Sequence, residues 1–229
     1  MLIANLLQLN NCFICQIDQA AECGVCDFCH SILPWITNIK YKCERCQKEL
    51  AARENFICCN CQENIYFNKL FTIFSYQQPI KKFLLDLKFN KKLAYADLLG
   101  KILYQFVITH WYKYQPLPEI LIPVPLHAKR LRTRGFNQAL ELSRGVAKKI
   151  TINTTACIRI KNTVKQTSLL KSNRNINIKH AFKAEKLPHQ HIAILDDVVT
   201  TGSTIDNLCK AIKLHNPNIN IDVWCIARA

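Results

Sequence analysis

The segment His191 to Thr204, HIAILDDVVTTGST, holds the densest chemistry in the chain. Four apolar residues run into two adjacent acids, then two valines, then a turn rich in hydroxyls with one glycine, then a helical pattern. Backbone amides at a helix start, with the hydroxyls of Thr200, Thr201, Ser203 and Thr204, can surround a phosphate. Gly202 lets the backbone come close to such a group. Asp196 and Asp197 fall at the carboxyl end of a buried strand, where open α/β sheets bind ligands. Carboxylates there can accept hydrogen bonds from ribose hydroxyls, so the pattern fits a phosphorylated ribose. The plainer alternative is a strand followed by an N-capped helix, with two surface acids.

The second concentration of chemistry is sulfur. Ten of the thirteen cysteines lie between Cys12 and Cys61. They form four C-x-x-C pairs: Cys12/Cys15, Cys26/Cys29, Cys43/Cys46 and Cys58/Cys61. The second two pairs repeat the first two after 31 or 32 residues. A C-x-x-C turn aims two thiolates at one point, and two such turns complete a tetrahedral zinc site. Two structural zinc ions are therefore expected, each with four protein ligands and no open position. They would also supply folding energy to a segment too small for its own core. Interleaved pairing stays open, because Cys23-x2-Cys26 is also a legal pair and Cys59 sits inside the fourth. Redox or free buried cysteines are the other readings.

Disulfides would need an oxidising compartment. The start, MLIANLLQLNNC, has no basic n-region and no evident cleavage site, and no run approaches eighteen apolar residues. A cytoplasmic protein without a membrane span is expected. About half the residues, 49%, are hydrophobic, which is enough for a sizeable core and argues against broad disorder. The formal charge is +15, and two tetrathiolate zinc sites would leave about +11. Such a surface attracts nucleic acid, nucleotides or phosphorylated sugars, although solvated lysines alone would give the same number.

The elements that must carry these groups follow from periodicity. Residues 1–64 read as a cysteine-pair zinc module and 65–229 as a separate hydrophobic-core domain. FTIFSYQQPIKKFLLDLKF is a strand, a turn near Pro79 and a helix with Ile80, Phe83, Leu84 and Leu87 on its apolar face. A second helix is expected from Leu93 to Thr109, a strand over EILIPVPL, and a helix from Phe136 to about Ile150. Arg159 to Lys186 is polar, basic and poorly periodic, as in a mobile loop. HIAILDD, STIDNLCKAIKLH and INIDVWCIA complete a strand–helix–strand series. Apolar strands alternating with helices imply an α/β fold with a parallel sheet and flanking helices.

ILDDVVTTGST resembles the signature of type I phosphoribosyltransferases, which bind 5-phosphoribosyl-1-pyrophosphate, without a gap. Ile122 to Ser143 (IPVPLHAKRLRTRGFNQALELS) and CDFCHSILPW are similar to segments of the ComF/GntX family, whose members carry cysteine pairs ahead of this domain. Its basic-loop pattern is matched by Thr163, Gln166, Arg174, Asn177, Ala181 and Phe182, but QTSLL replaces a glycine often found after Gln166.

The resemblance implies a type I phosphoribosyltransferase-like sheet behind a double zinc-ribbon-like module. It implies Asp196 and Asp197 as candidate catalytic residues on the ribose hydroxyls, and Thr200 to Thr204 on the 5-phosphate. His127, Lys129 and Arg130 would face the pyrophosphate, followed by Arg134 and Asn137, unless RGFNQ only starts a helix. The Gln166 to Arg174 loop would fold over the ligand, unless it is a solvated basic loop or a nucleic-acid contact. Magnesium would accompany the phosphoribosyl ligand, and a nitrogen nucleophile would displace pyrophosphate; no segment identifies the acceptor. The family is associated with natural competence and the uptake of external DNA. That association implies single-stranded DNA and competence or helicase proteins as partners. The alternative is an active phosphoribosyltransferase of nucleotide metabolism with no DNA role. Phe83, Phe89, Tyr95 and Phe136 lie among the basic clusters and could stack on bases or belong to the core.

Overall fold

The computed structural model describes residues 11–21, 23–51, 56–62, 66–161 and 181–229. Thr163, Gln166, Arg174 and Asn177 of the basic loop lie outside the described residues. Among those described, the elements are α1 (Asp27–Ser31), α2 (Cys59–Gln62), β1 (Lys69–Ser75), α3 (Ile80–Asn90), α4 (Ala94–Phe106), β2 (Ile120–Pro123), α5 (Ala128–Arg134) and α6 (Gln138–Ser143). Then follow β3 (Thr151–Ile152), β4 (Cys157–Arg159), β5 (Phe182–Ala184), β6 (His191–Val199), α7 (Ser203–His215) and β7 (Asn220–Arg228).

Five strands form one parallel sheet in the order β1-β7-β6-β2-β3. β6 and β7 are apolar along nearly their whole length, because helices or cysteine modules cover both faces. One face buries Leu121, Ala193, Leu195, Trp224 and Ile226 under α3, α4 and α6. The other buries Ile120, Ile122, Ile192, Ile194, Ile221 and Val223 under Ile205, Leu208, Cys209 and Ile212 of α7. From β2 the chain steps outward to β3, whereas from β6 it steps the other way to β7. The crevice at the carboxyl ends of β2 and β6 is thus a topological switch point.

The expected helices are present, with three differences at their ends. The second stops at Phe106 and continues as a π turn, Val107–Trp111. The stretch after Phe136 starts helical only at Gln138, because Asn137 is the N-cap and accepts from Ala139 N–H at 3.0 Å. Expected to reach about Ile150, it stops at Ser143 and continues only as a 3-10 turn, Arg144–Val146. α4 and the segment after α6 approach at Gly100 and Gly145. A Cβ on Gly145 would overlap the Gly100 backbone, so glycine is required for that packing. The basic stretch after Arg159 is flanked by an antiparallel pair, β4 with β5, rather than beginning directly as loop.

Both cysteine units pack against the sheet. Cys12, Cys26 and Cys29 join the core on the α3–α4 face, and Cys43, Cys46, Cys58 and Cys61 join the core on the other. They also cover the free edge of β1. Ser75 N–H donates to Pro34 O at 2.8 Å, and Leu70 N–H donates to Arg45 O at 2.7 Å. Thr72 Oγ1 donates to Gln47 Oε1 at 2.8 Å. A buried edge strand needs such partners for its ladder groups. Among the described residues, no helix is long and apolar enough to cross a membrane.

Candidate functional site

The tetrathiolate clusters arise from two copies of one local structure. In each copy a positive-φ glutamine follows the second cysteine, Gln16 at 60° and Gln47 at 58°. Each glutamine N–H donates to the carbonyl of the first cysteine, Cys12 or Cys43, at 2.8 Å. This tight turn aims both sulfurs of a pair to one side. Backbone N–H groups then point at sulfur: Ile14 to Cys12 Sγ at 3.4 Å, and Cys58 to Cys43 Sγ at 3.4 Å.

The pairing is sequential. Cys12, Cys15, Cys26 and Cys29 form one group and Cys43, Cys46, Cys58 and Cys61 the other, with all four sulfurs of each within 4.8 Å of one another. Cys23 and Cys59 belong to neither group. Cys15 Sγ and Cys26 Sγ are 3.8 Å apart, and Cys46 Sγ and Cys58 Sγ 3.6 Å. A tetrahedron of thiolates at the usual zinc–sulfur bond length has edges of about 3.8 Å, so the sites fit zinc. The sulfurs are too far apart for disulfides, and all thirteen cysteines are free.

Electrostatics agrees with a metal site. Burial and the neighbouring thiols push Cys29 up to about 12, and burial raises Cys46 to about 11. Burial works the same way on Cys12, but backbone N–H groups outweigh it and bring that thiol down to about 6. One thiolate in each cluster, Cys12 and Cys43, is thus favoured by the fold, and a cation is what would allow Cys29 and Cys46 to ionise. Zinc held there supplies structural cross-linking and, with four protein ligands, no open coordination position.

At the switch point, β6 delivers the acid pair. Strand alternation sends Leu195 and Asp197 toward α3, and Ile194 and Asp196 toward the α7 face. Asp197 is buried and forms an ion pair with Lys88 Nζ of α3. Burial alone would lower Lys88, but the Asp197 carboxylate raises it above the ordinary lysine value. Asp196 is half-buried. Burial, reinforced by the adjacent Asp197 charge, pushes it up to about 7, against the opposing pull of Lys88.

The guanidinium groups gather around the same acids. Arg134 lies near Asp197 and Arg130, while Arg159 lies near Arg130 and Asp196. Burial lowers all three from the usual arginine value. Arg134 sits over the ring of Phe89, 6.0 Å from its centre, and Arg159 over that of Phe182 at 5.2 Å. α5 carries Arg130 and Arg134, and His127 caps its start, its Nδ1 accepting from Lys129 N–H at 3.2 Å. Gly135, at φ 86°, ends the helix.

Beyond β6 the chain turns through Thr200, Thr201 and Gly202 into α7. Gly202 holds φ 81°, with nothing within 4 Å of where a Cβ would be, so the requirement there is conformational. Thr201 Oγ1 and Ser203 Oγ are 2.9 Å apart. Thr200 and Thr201 are exposed, and Ser203 and Thr204 half-buried. Arg134 thus lies near Asp197, with Arg130 beside Arg134 and Arg159, whereas Lys129 is exposed on α5. Asn137 is spent on structure, its Nδ2 donating to Val124 O at 3.0 Å.

Sequence reading assigned no site role to Lys88, one of the basic residues beside Phe89, and placed Arg159 at the start of the mobile basic loop. A signal for Lys88 was available: Ile80, Leu84 and Lys88 lie at i, i+4 and i+8, so a lysine continues the buried stripe. Arg159 carried no comparable signal, because the β4–β5 pairing that positions it joins strands separated by 22 residues of sequence.

The fold and these sites define a parallel α/β protein with an acid pair and a hydroxyl-rich turn at its switch point, fastened to two tetrathiolate modules. No protein-family model matches the chain. It is 32% identical over 220 residues to Competence protein F of Haemophilus influenzae, covering 91% of this chain and 92% of that one. It is 30% identical over 224 residues to DNA utilization protein YhgH of Escherichia coli K12, covering 95% and 96%. The chain belongs to the family of Competence protein F and the YhgH proteins. Among solved structures, Helicobacter pylori xanthine-guanine-hypoxanthine phosphoribosyltransferase is similar at 14% identity, over 70% of this chain and 79% of that one, with a TM-score of 0.32.

Proposed function

We propose that this chain acts in natural competence, in the uptake and use of external DNA, through a phosphoribosyltransferase-type site that binds 5-phosphoribosyl-1-pyrophosphate. The carrying observation is the acid pair at the switch point, ringed by cations and followed by the Thr200–Thr204 turn. Asp196 and Asp197 accept hydrogen bonds from the ribose hydroxyls. The turn and the first amides of α7 receive the 5-phosphate. Arg130 and Arg134, with Lys129 at the rim, face the pyrophosphate. Carboxylates beside the anomeric carbon would favour the positive charge that develops if pyrophosphate leaves, which is the chemistry a transferase reading needs. Magnesium, where it takes part, arrives on the pyrophosphate of the ligand.

The names of the relatives support the biological half of this reading. The basic surface supports single-stranded DNA as a partner, with competence or helicase proteins beside it, in the cytoplasm. Calorimetric titration with 5-phosphoribosyl-1-pyrophosphate tests the ligand half. Replacing Asp196 and Asp197 by asparagine should weaken binding on the order of tenfold or more, the range for hydrogen bonds to charged groups. Unchanged affinity in the folded double variant would remove the assignment.

A further inference from the structure

Lys88 is the one lysine described at the acid pair, and it arrives from a helix otherwise devoted to the core. Its side chain is 13% exposed and that of Asp197 is 11% exposed, so the ion pair is shielded from water. A lysine is seldom buried unless it is paired. Its neighbours on the apolar stripe, Ile80 and Leu84, are fully buried, so the ammonium is carried inward by the helix itself.

The charges facing the pair come from three directions. Lys88 comes from α3, Arg134 from α5, and Arg159 from β4. Three cations face two carboxylates, so positive charges outnumber the acids even when both are ionised. Two carboxylates in a field of that sign are a poor site for a divalent cation, because each cationic neighbour repels it. The same field favours phosphate groups. Asp197, moreover, has an oxygen already committed to Lys88.

We propose that Lys88 stands where a divalent cation would otherwise be needed, so that the acid pair meets the ribose end of its ligand without a metal of its own. This deepens the proposed reading of the same site: it specifies a phosphorylated sugar whose metal, where present, is confined to the pyrophosphate. Lys88 is then a positioning residue. It holds the Asp197 carboxylate in place and keeps metal off it.

The test reads Mn2+ alone on zinc-replete protein without ligand, by electron paramagnetic resonance titration. Wild type should hold no Mn2+ at the acid pair. Lys88→Met, which is one atom shorter and removes the charge, should gain a site, tightening Mn2+ binding roughly tenfold or more. Lys88→Arg should behave as wild type. Adding Asp197→Asn to Lys88→Met should abolish the gain. Equal Mn2+ affinity in wild type and Lys88→Met, or a gain that survives Asp197→Asn, would overturn the proposal. If Lys88→Met does not fold, wild type against Asp197→Asn decides: a Mn2+ ion bound by wild type and lost in Asp197→Asn overturns it, and none in either supports it. Because the sugar phosphate is absent throughout, failure to bind 5-phosphoribosyl-1-pyrophosphate would leave this result standing, and the reverse.

Discussion

Asp196 and Asp197 are neighbours in sequence but not in environment. Asp197 is neutralised by Lys88, whereas Asp196 is burdened by burial and by Asp197, and titrates at about 7 instead of its ordinary 3.8. A carboxyl raised by folding binds more protons in the native state than in the unfolded chain. Its contribution is therefore full below about pH 4 and is lost as the pH rises to about 7. Asp196→Asn removes that dependence. Relative to the variant, wild type should lose on the order of 1 kcal/mol of stability between about pH 5 and pH 8, after allowance for the half-exposure of the group. Urea melts of both proteins across that range check this. A constant difference would mean that Asp196 titrates normally.

Two cysteine modules and one sheet edge make the next level. The modules repeat the same turn, and each reaches the sheet through backbone or amide groups near its own cysteine cluster. Arg228 Nη1 of β7 donates to Cys46 O at 2.7 Å, and Gln47, directly after Cys46, holds Thr72 of β1. Loss of metal should therefore be felt in the sheet. Elemental analysis of metal-replete protein should return close to two zinc ions per chain. Stripping them with a chelator should lower Tm in a single cooperative transition, with β1 losing hydrogen-exchange protection. A stoichiometry near one would eliminate one cluster, and an unaltered sheet melt would make the modules independent of the domain that follows.

The whole molecule is strongly basic, +15 before metal, with clusters at Lys81 to Lys92 and His127 to Arg134. The structure sorts the nearby aromatics. Phe83 is buried, Tyr95 is stacked against it at 4.6 Å, and Phe136 is half-buried. Phe89 alone of the four is exposed, at 67%, with Arg134 over its ring. Binding to single-stranded DNA should be weak, indifferent to sequence and dominated by phosphate contacts. Affinity should fall on the order of tenfold or more from about 50 to 200 mM salt. The residue of affinity at high salt should depend on Phe89. If Lys129, Arg130, Arg132 and Arg134 serve both ligands, 5-phosphoribosyl-1-pyrophosphate should compete with the oligonucleotide. Fluorescence anisotropy reads all three effects; no binding at low salt would reject a direct DNA role.

The sequence alone determined what depends on short-range pattern. The spacing of four cysteine pairs pointed to two four-cysteine groups, because a C-x-x-C turn is a local object. Apolar runs between helical patterns implied a parallel sheet, and ILDDVVTTGST marked the strand, turn and helix that carry the acids. Tertiary structure decided the rest. That the pairing is sequential, with Cys23 and Cys59 outside both clusters, depends on where the turns are held in space. That Lys88 neutralises Asp197 depends on α3 crossing the end of β6, a contact between residues 109 positions apart. That Arg159 joins them depends on the pairing of β4 with β5. Charge neutralisation acts through space over a few ångströms, and only the folded chain brings such distant residues within that range.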